Sequence, residues 1–226
     1  MELSHPYESD IARFQLLYQL PLPENCRRSL IIGENAVARE VGWVGDVIEP
    51  MGQSDPTDLL GDSPSDHFDA IALPGVLRPL SSRVGQTDTP NFLRQLKHKL
   101  VPGGVLIGHL NHGLFADTLV QPSNWPALLS AYADRRCPYR ASRLLDLLNK
   151  AGLSDAKCFY VLPSITAPMG LIPACPEVVK PYFLRSLSGA RAGHAVLAYW
   201  GRRLVIEVGL ASALRDTLFF WARRPC

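Results

Sequence analysis

Short apolar segments recur along the chain, and each ends at, or is followed by, glycine, proline, a charged residue or histidine. Every segment is only five or six residues long, which is typical of strands that are buried on both faces of a sheet. We predict six such strands, at residues 29–33, 44–49, 68–73, 105–109, 158–162 and 217–222.

Apolar residues at helical spacing fill much of the chain between these strands. Leu93 and Leu96 share one face of a helix for which Thr89 is the predicted N-cap and Pro90 the first residue. Gly152 is the predicted C-cap of another helix. The predicted helices are residues 10–20, 36–41, 89–100, 122–132, 140–150 and 182–214.

This alternation of strands and helices predicts an α/β protein with a doubly wound, mostly parallel sheet. Residues 101–104 (Val-Pro-Gly-Gly) are expected to form a sharp turn before the fourth strand. Residues 163–181 contain five prolines, so we expect no regular element there. The simplest interpretation is a single domain over residues 1–226, with residues 163–214 as an insertion or lid before the last strand.

Composition and charge narrow the class of protein. The 226 residues are 47% hydrophobic and carry a net charge of only +2, which argues against disorder and against a dedicated nucleic-acid binder. The sequence contains no apolar run long enough to span a membrane and no visible secretory signal. Five cysteines lie far apart without a paired motif, which favours a reducing compartment. We therefore expect a cytoplasmic protein.

Three segments resemble the class I S-adenosylmethionine-dependent methyltransferases. Residues 67–77 (HFDAIALPGVL) are similar to the family's fourth-strand motif, and residues 92–107 (FLRQLKHKLVPGGVLI) to its next helix, Pro-Gly-Gly turn and strand. Residues 144–153 are similar to the helix before its sixth strand. The resemblance implies a Rossmann-like sheet with an antiparallel last strand, S-adenosylmethionine as the cofactor, and methyl transfer to a small-molecule or lipid-linked acceptor.

The same resemblance implies a set of cofactor-binding residues. Gly33 and Glu34 occupy the first loop, and Glu49 matches the acidic residue that binds the ribose hydroxyls. Asp62 lies where an acidic residue faces the adenine amine. Leu73 and Pro74 would form the loop under the cofactor. Alternatively, Gly33 is only a turn residue, and Glu49 and Asp62 are solvated loop carboxylates. For Asp69 we expect a structural role at the start of its strand and not a role as a ligand.

His109 and His112 form a His-x-x-His pattern at the end of the fourth predicted strand, where sites of α/β proteins lie. A histidine there can act as a general base, because its ordinary pKa is about 6.5. The alternative is a pair of loop histidines. We expect no metal site, because no further cysteine or carboxylate cluster stands near them in the sequence.

The first loop reads Gly33-Glu-Asn-Ala-Val-Ala, with one glycine where the family usually has three. This departure leaves a second hypothesis, a non-catalytic methyltransferase-like protein that acts as a partner subunit or binding module. Residues 199–210 interleave apolar and basic side chains, which is typical either of a helix that contacts anionic lipid or of an ordinary packed helix. A partner protein and peripheral membrane contact are thus both compatible with the sequence.

Overall fold

The computed structural model describes residues 15–32, 46–48, 60, 64–74, 89–111, 141–163, 168–187 and 217–226. Residues 15–19 are helical and form what we call the N-terminal helical segment. The strands are β1 Ser29–Ile32, β2 Asp46–Ile48, β3 Phe68–Pro74, β4 Leu100–Asn111, β5 Ser154–Pro163, β6 Pro168–Pro173 and β7 Thr217–Arg223. The helices are α1 Thr89–Lys99, α2 Ala141–Lys150 and α3 Pro176–Leu187.

The strands form one seven-stranded sheet in the order β2-β1-β3-β4-β7-β5-β6. The first four strands of that order are mutually parallel, and β7 runs antiparallel to both β4 and β5. The prediction of a mostly parallel sheet with an antiparallel last strand is therefore confirmed. We call the edge at which β1 to β4 end the carboxyl edge, and the opposite one the amino edge.

Alternating residues of the strands divide the core between the two faces of the sheet. Helices α1, α2 and α3 cover one face, with Leu93, Leu144 and Val179 among the buried contacts. The N-terminal helical segment covers part of the other face through Leu17 and Tyr18. Both faces of the central strands are thus buried, which explains why their sequences are continuously apolar.

Local signals in the sequence fix several element boundaries. Helix α1 begins at Thr89, as predicted from the Thr-Pro pair. Helix α2 ends in two backbone hydrogen bonds, from Gly152 to the carbonyl of Asn149 and from Leu153 to that of Leu148. Gly152 has a φ of 81°, in the left-handed region that a glycine adopts without strain.

The proline-rich segment was predicted wrongly. Within residues 163–181 the structure has strand β6 and the first half of α3. Strand β6 is the last in the sheet order, so no described strand pairs with its outer side. Backbone N–H groups on that side have no hydrogen bond to make within the sheet, and prolines are therefore tolerated at 168 and 173. Pro176 stands at the start of α3, where the missing N–H has no intrahelical partner to lose.

The expected turn at residues 101–104 is also wrong as stated, since β4 runs through it. The ladder with β3 shifts there, because Phe68 pairs with Leu100 whereas Ala70 pairs with Val105. Gly103, with a φ of 78°, lies in this irregularity. The predictions for residues 36–41, 122–132 and 188–214 lie outside the described residues.

Candidate functional site

The strand order β2-β1-β3 places a topological switch point at the carboxyl edge, where open α/β sheets have a ligand-binding crevice. The chain passes from β1 to β2 on one side of β1, and then to β3 on the other side. Ligands of open α/β sheets bind at such a switch point, outside the carboxyl ends of the strands. Gly33 and Glu49 are the next residues in the sequence after β1 and β2. The topology alone therefore selects this edge as the candidate site.

Three of the residues predicted for the site come together on β3 and β4. Leu73 and Pro74 are buried at the end of β3, and Pro74 pairs with His109 across the ladder to β4. Both were expected to lie in a loop, whereas the structure places them at the end of the strand, where they form a buried apolar surface. The other predicted site residues, Gly33, Glu34, Glu49, Asp62 and His112, lie outside the described residues.

A hydrogen bond joins His109 to the N-terminal helical segment. The hydroxyl of Tyr18 lies 2.5 Å from Nδ1 of His109. Tyr18 is fully buried and only 6% of His109 is exposed, and Phe219 of β7 packs edge-on against the tyrosine ring. The N-terminal helical segment is thus held against the carboxyl edge by both a polar contact and an apolar one.

Burial keeps both members of this pair neutral. It lowers the pKa of His109 to about 4, because the charged imidazolium loses its hydration. It raises the pKa of Tyr18 well above its ordinary value for the same reason. At neutral pH the pair is therefore an uncharged phenol and an uncharged imidazole.

From the sequence, Tyr18 was predicted only to lie within the helix at residues 10–20, and its contact with His109 was not predicted. A weak signal was present, since a buried tyrosine needs a partner for its hydroxyl. The partner itself is 91 residues away in the sequence, so no local pattern identifies it.

Asp69, the second residue of β3, lies at the amino edge of the sheet. Its Oδ2 accepts the backbone N–H groups of Arg27 and Arg28, each at 2.9 Å. Partial burial by itself raises the pKa of Asp69. The two backbone donors, and then the charges of Arg28 and Arg27, outweigh that effect and lower it. Asp69 thus fixes the chain that enters β1, which agrees with the structural role expected for it.

Solved structures of known proteins share this architecture. The chain is similar, over 96% of its length and 94% of the other chain, to a methyltransferase dependent on S-adenosylmethionine from Archaeoglobus fulgidus, with a TM-score of 0.53 and 15% identity. This chain has the fold of the class I S-adenosylmethionine-dependent methyltransferases. The prediction made from residues 67–77 and 92–107 is thereby confirmed for the fold.

A second structure with the methyltransferase fold is phosphoethanolamine N-methyltransferase 2 of Haemonchus contortus in complex with S-adenosyl-L-methionine. The similarity covers 95% of this chain and 53% of that one, with a TM-score of 0.51 and 14% identity. This chain therefore spans about half of that protein's length. Neither a protein-family model nor a curated protein sequence matches the chain.

The part of the chain that the structure describes contains no group of three or more His, Cys, Asp or Glu side chains arranged to hold a metal ion. Among the same residues, no helix is both long and apolar enough to cross a membrane.

Proposed function

We propose that the protein is a methyltransferase that uses S-adenosylmethionine to methylate a small-molecule or lipid-linked acceptor. The observation that supports this most is the switch point between β1 and β3 in a sheet with the methyltransferase fold. Gly33 and Glu49 follow directly in the sequence after the two strands that end at this crevice.

The residues at this edge suit the parts of the cofactor. A carboxylate at Glu49 can accept two hydrogen bonds from the vicinal hydroxyls of a ribose. Asp62 can accept one from the adenine amine, and the backbone at Gly33 and Glu34 is assigned to the methionine part. Leu73 and Pro74 supply the buried apolar side, which would exclude water from the region of the sulfonium group.

Bound S-adenosylmethionine would supply an electrophilic methyl group, which forms a bond to an acceptor lone pair while the carbon–sulfur bond breaks and its electrons stay on sulfur. The contribution of the chain is to hold the acceptor in line and to exclude water. No strong base is needed for an acceptor atom whose proton leaves to solvent. Of the two predicted catalytic residues, His109 lies beside Pro74, and His112 follows β4 by one residue.

Isothermal titration calorimetry with S-adenosylmethionine and S-adenosylhomocysteine tests the proposal. We expect micromolar binding of both, weakened tenfold or more by Glu49→Ala. The matched control is Asp46→Ala, which removes an exposed carboxylate from the first residue of the same strand, at the amino edge. Absence of binding at millimolar ligand by the folded protein would refute the proposal, and equal effects of the two substitutions would refute the role of Glu49.

We propose a cytoplasmic location because the cysteines that the structure describes are free thiols. Cys26, Cys158, Cys175 and Cys226 are free thiols among the described residues, as expected for a reducing compartment. No observation on the described residues favours the non-catalytic hypothesis. The hypothesis of membrane contact depends on residues 199–210, which lie outside the described residues.

A further inference from the structure

Strand β6 forms one edge of the sheet, and its outer side is covered by no other described strand. The backbone N–H of Ala174 donates to the carbonyl of Cys158 on β5, so the polar backbone groups of residue 174 point inward. Because these groups alternate in direction along a strand, those of Leu171 and Pro173 point outward. The open edge therefore offers the N–H of Leu171 and the carbonyl oxygens of both residues.

The side chains of β6 carry no charge that would keep a second strand away. Residues 168–173 read Pro-Met-Gly-Leu-Ile-Pro, whereas edge strands usually carry charged residues that prevent pairing. The Met169 side chain is 76% exposed, and a Cβ atom at Gly170 would meet nothing within 4 Å. A copy of the same strand can thus approach this edge without bringing like charges together.

Helix α3 extends this surface on one face of the sheet. Val179 of α3 and Ile172 of β6 belong to the same core cluster, so α3 lies back over the sheet beside β6. Val178 and Tyr182, which are one helical turn apart, are 40% and 42% exposed. Five large apolar side chains are exposed in the described part of the chain, and three of them thus lie on β6 and α3.

We propose that β6 and α3 form the interface of a homodimer, in which β6 pairs antiparallel with β6 of a second copy across a two-fold axis at Leu171. The N–H of each Leu171 then donates to the carbonyl oxygen of the other, and Met169 lies opposite Pro173 of the partner subunit. Pro173 contributes only its carbonyl oxygen, so its missing N–H does not prevent the pairing. The interface is isologous, because both copies use the same residues.

The same two-fold axis suits α3. Leu171 lies two residues before the end of β6, which is about 7 Å along a strand. Lys180 lies four residues after the start of α3, which is about 6 Å along a helix, so it is nearly level with Leu171. An axis at that level brings Val178 opposite Tyr182 of the partner subunit, because both positions are equally far from Lys180. This contact needs only the exposed part of the tyrosine ring. The strand and the helix place the axis at one level, which favours a second copy over an unrelated peptide.

The arrangement leaves the candidate site accessible. Because the axis is perpendicular to the sheet, the carboxyl edges of the two copies point in opposite directions and away from the interface. The inference therefore does not depend on the proposed function, and a failure of either one leaves the other standing.

Sedimentation velocity of the wild type, from low micromolar to a few hundred micromolar protein, tests for the dimer. We expect the mass to rise from that of the monomer to twice that value. Met169→Lys and Val178→Lys each bury a charge against an apolar surface of the partner and should raise the dimer Kd about tenfold or more. The control is Leu16→Lys on the N-terminal helical segment, whose side chain is 55% exposed, and it should leave the Kd unchanged.

Amide hydrogen exchange, followed by nuclear magnetic resonance, tests the strand pairing without any substitution. The amide of Leu171 points outward in the monomer and should exchange about tenfold or more slowly in the dimer, at high protein concentration. The amide of Ile172 points towards β5 and is the internal control. It should be protected equally at low and at high concentration.

A wild type that stays monomeric over the whole concentration range would overturn the inference. A dimer that neither lysine substitution weakens, or an amide of Leu171 whose exchange does not change with concentration, would place the interface elsewhere and overturn it as well. Near-ultraviolet circular dichroism verifies that each variant is folded. The two wild-type measurements alone can refute the dimer, so the test does not depend on the stability of the variants.

Discussion

Gly108 of β4 lies directly against the ring of Phe220 on β7, its partner in the antiparallel ladder. A Cβ atom at position 108 would come within 2.6 Å of Cζ of Phe220 and 2.9 Å of the carbonyl oxygen of Leu73. The aromatic ring therefore occupies the space that a side chain on β4 would fill. This close approach sets the packing beneath the residues that end β3 and β4 at the carboxyl edge.

Gly108→Ala should destabilise the protein by about 1–3 kcal/mol, the usual cost of overpacking a closely packed core. The Phe220 ring can turn away, but the carbonyl of Leu73 belongs to the ladder and cannot. Urea unfolding followed by tryptophan fluorescence measures the loss. The matched control is Gly170→Ala on β6, where a Cβ would meet no atom within 4 Å. Equal effects of the two substitutions would contradict the steric argument.

The pKa of His109 predicts how stability changes with pH. Because burial holds this pKa at about 4 in the folded protein, the unfolded chain binds more protons between pH 4 and its ordinary pKa of 6.5. The free energy of unfolding is therefore highest, as far as His109 is concerned, above pH 6.5. It decreases as the pH falls from 6.5 towards 4. From pH 7 to pH 5 we expect the wild type to lose about 2 kcal/mol more than His109→Gln, which cannot titrate there. Urea unfolding at both pH values tests this, and parallel losses would show that His109 is not buried as a neutral group.

Asp69→Ala should lower the free energy of unfolding by about 1.5–3 kcal/mol, the range for hydrogen bonds to a charged group. It removes the acceptor of the Arg27 and Arg28 backbone N–H groups. Since the folded pKa of Asp69 is lowered, its stabilisation is present above its ordinary pKa and is lost as the pH falls through the folded value. Urea unfolding of wild type and Asp69→Asn should therefore differ most at neutral pH. Asp146→Asn, on the exposed side of α2, is the control and should change little at either pH.

Arg224, just after β7, tests which of two contacts stabilises the amino edge. Its guanidinium pairs with Asp66 and also donates to the carbonyl oxygens of Lys97 in the last turn of α1 and of Leu100, the first residue of β4. Asp66 is 58% exposed, so the ion pair itself should contribute less than about 1 kcal/mol.

Arg224→Ala leaves the two carbonyls without this donor and should cost about 1–3 kcal/mol. Asp66→Asn should cost much less, and asparagine tolerates the positive φ of 52° at that position. Thermal unfolding of both variants measures the difference in stability between them. The control is Arg223→Ala, which removes a positive charge from the neighbouring residue. If Asp66→Asn proved as costly as Arg224→Ala, the ion pair would be the main contact after all.

The strands could be predicted from the sequence because a strand that is buried on both faces consists of consecutive apolar residues. Ser29–Ile32 is buried at every residue, and β3 is almost so, which gives continuous apolar runs. Strand β6 could not be predicted, because prolines are excluded from central strands but not from an edge, and the edge position depends on the whole sheet.

The candidate site was predictable only where it follows from strand ends. Leu73, Pro74 and His109 could be placed at the carboxyl edge because Leu73 and His109 end predicted strands and Pro74 directly follows one. The contact of Tyr18 with His109 could not, because it forms only when the N-terminal helical segment docks on a sheet whose strands come later in the chain. Long-range docking of this kind leaves no periodic signal in the sequence.

The central position of β7 has a consequence for synthesis on the ribosome. Residues 217–223 follow every other described strand in the chain, yet they lie between β4 and β5 in the sheet. While they are still in the exit tunnel, the four parallel strands and the β5–β6 hairpin each present an unpaired strand edge. The nascent chain thus emerges as two separate parts that are prone to aggregation, and β7, which follows the other described strands in the chain, joins them.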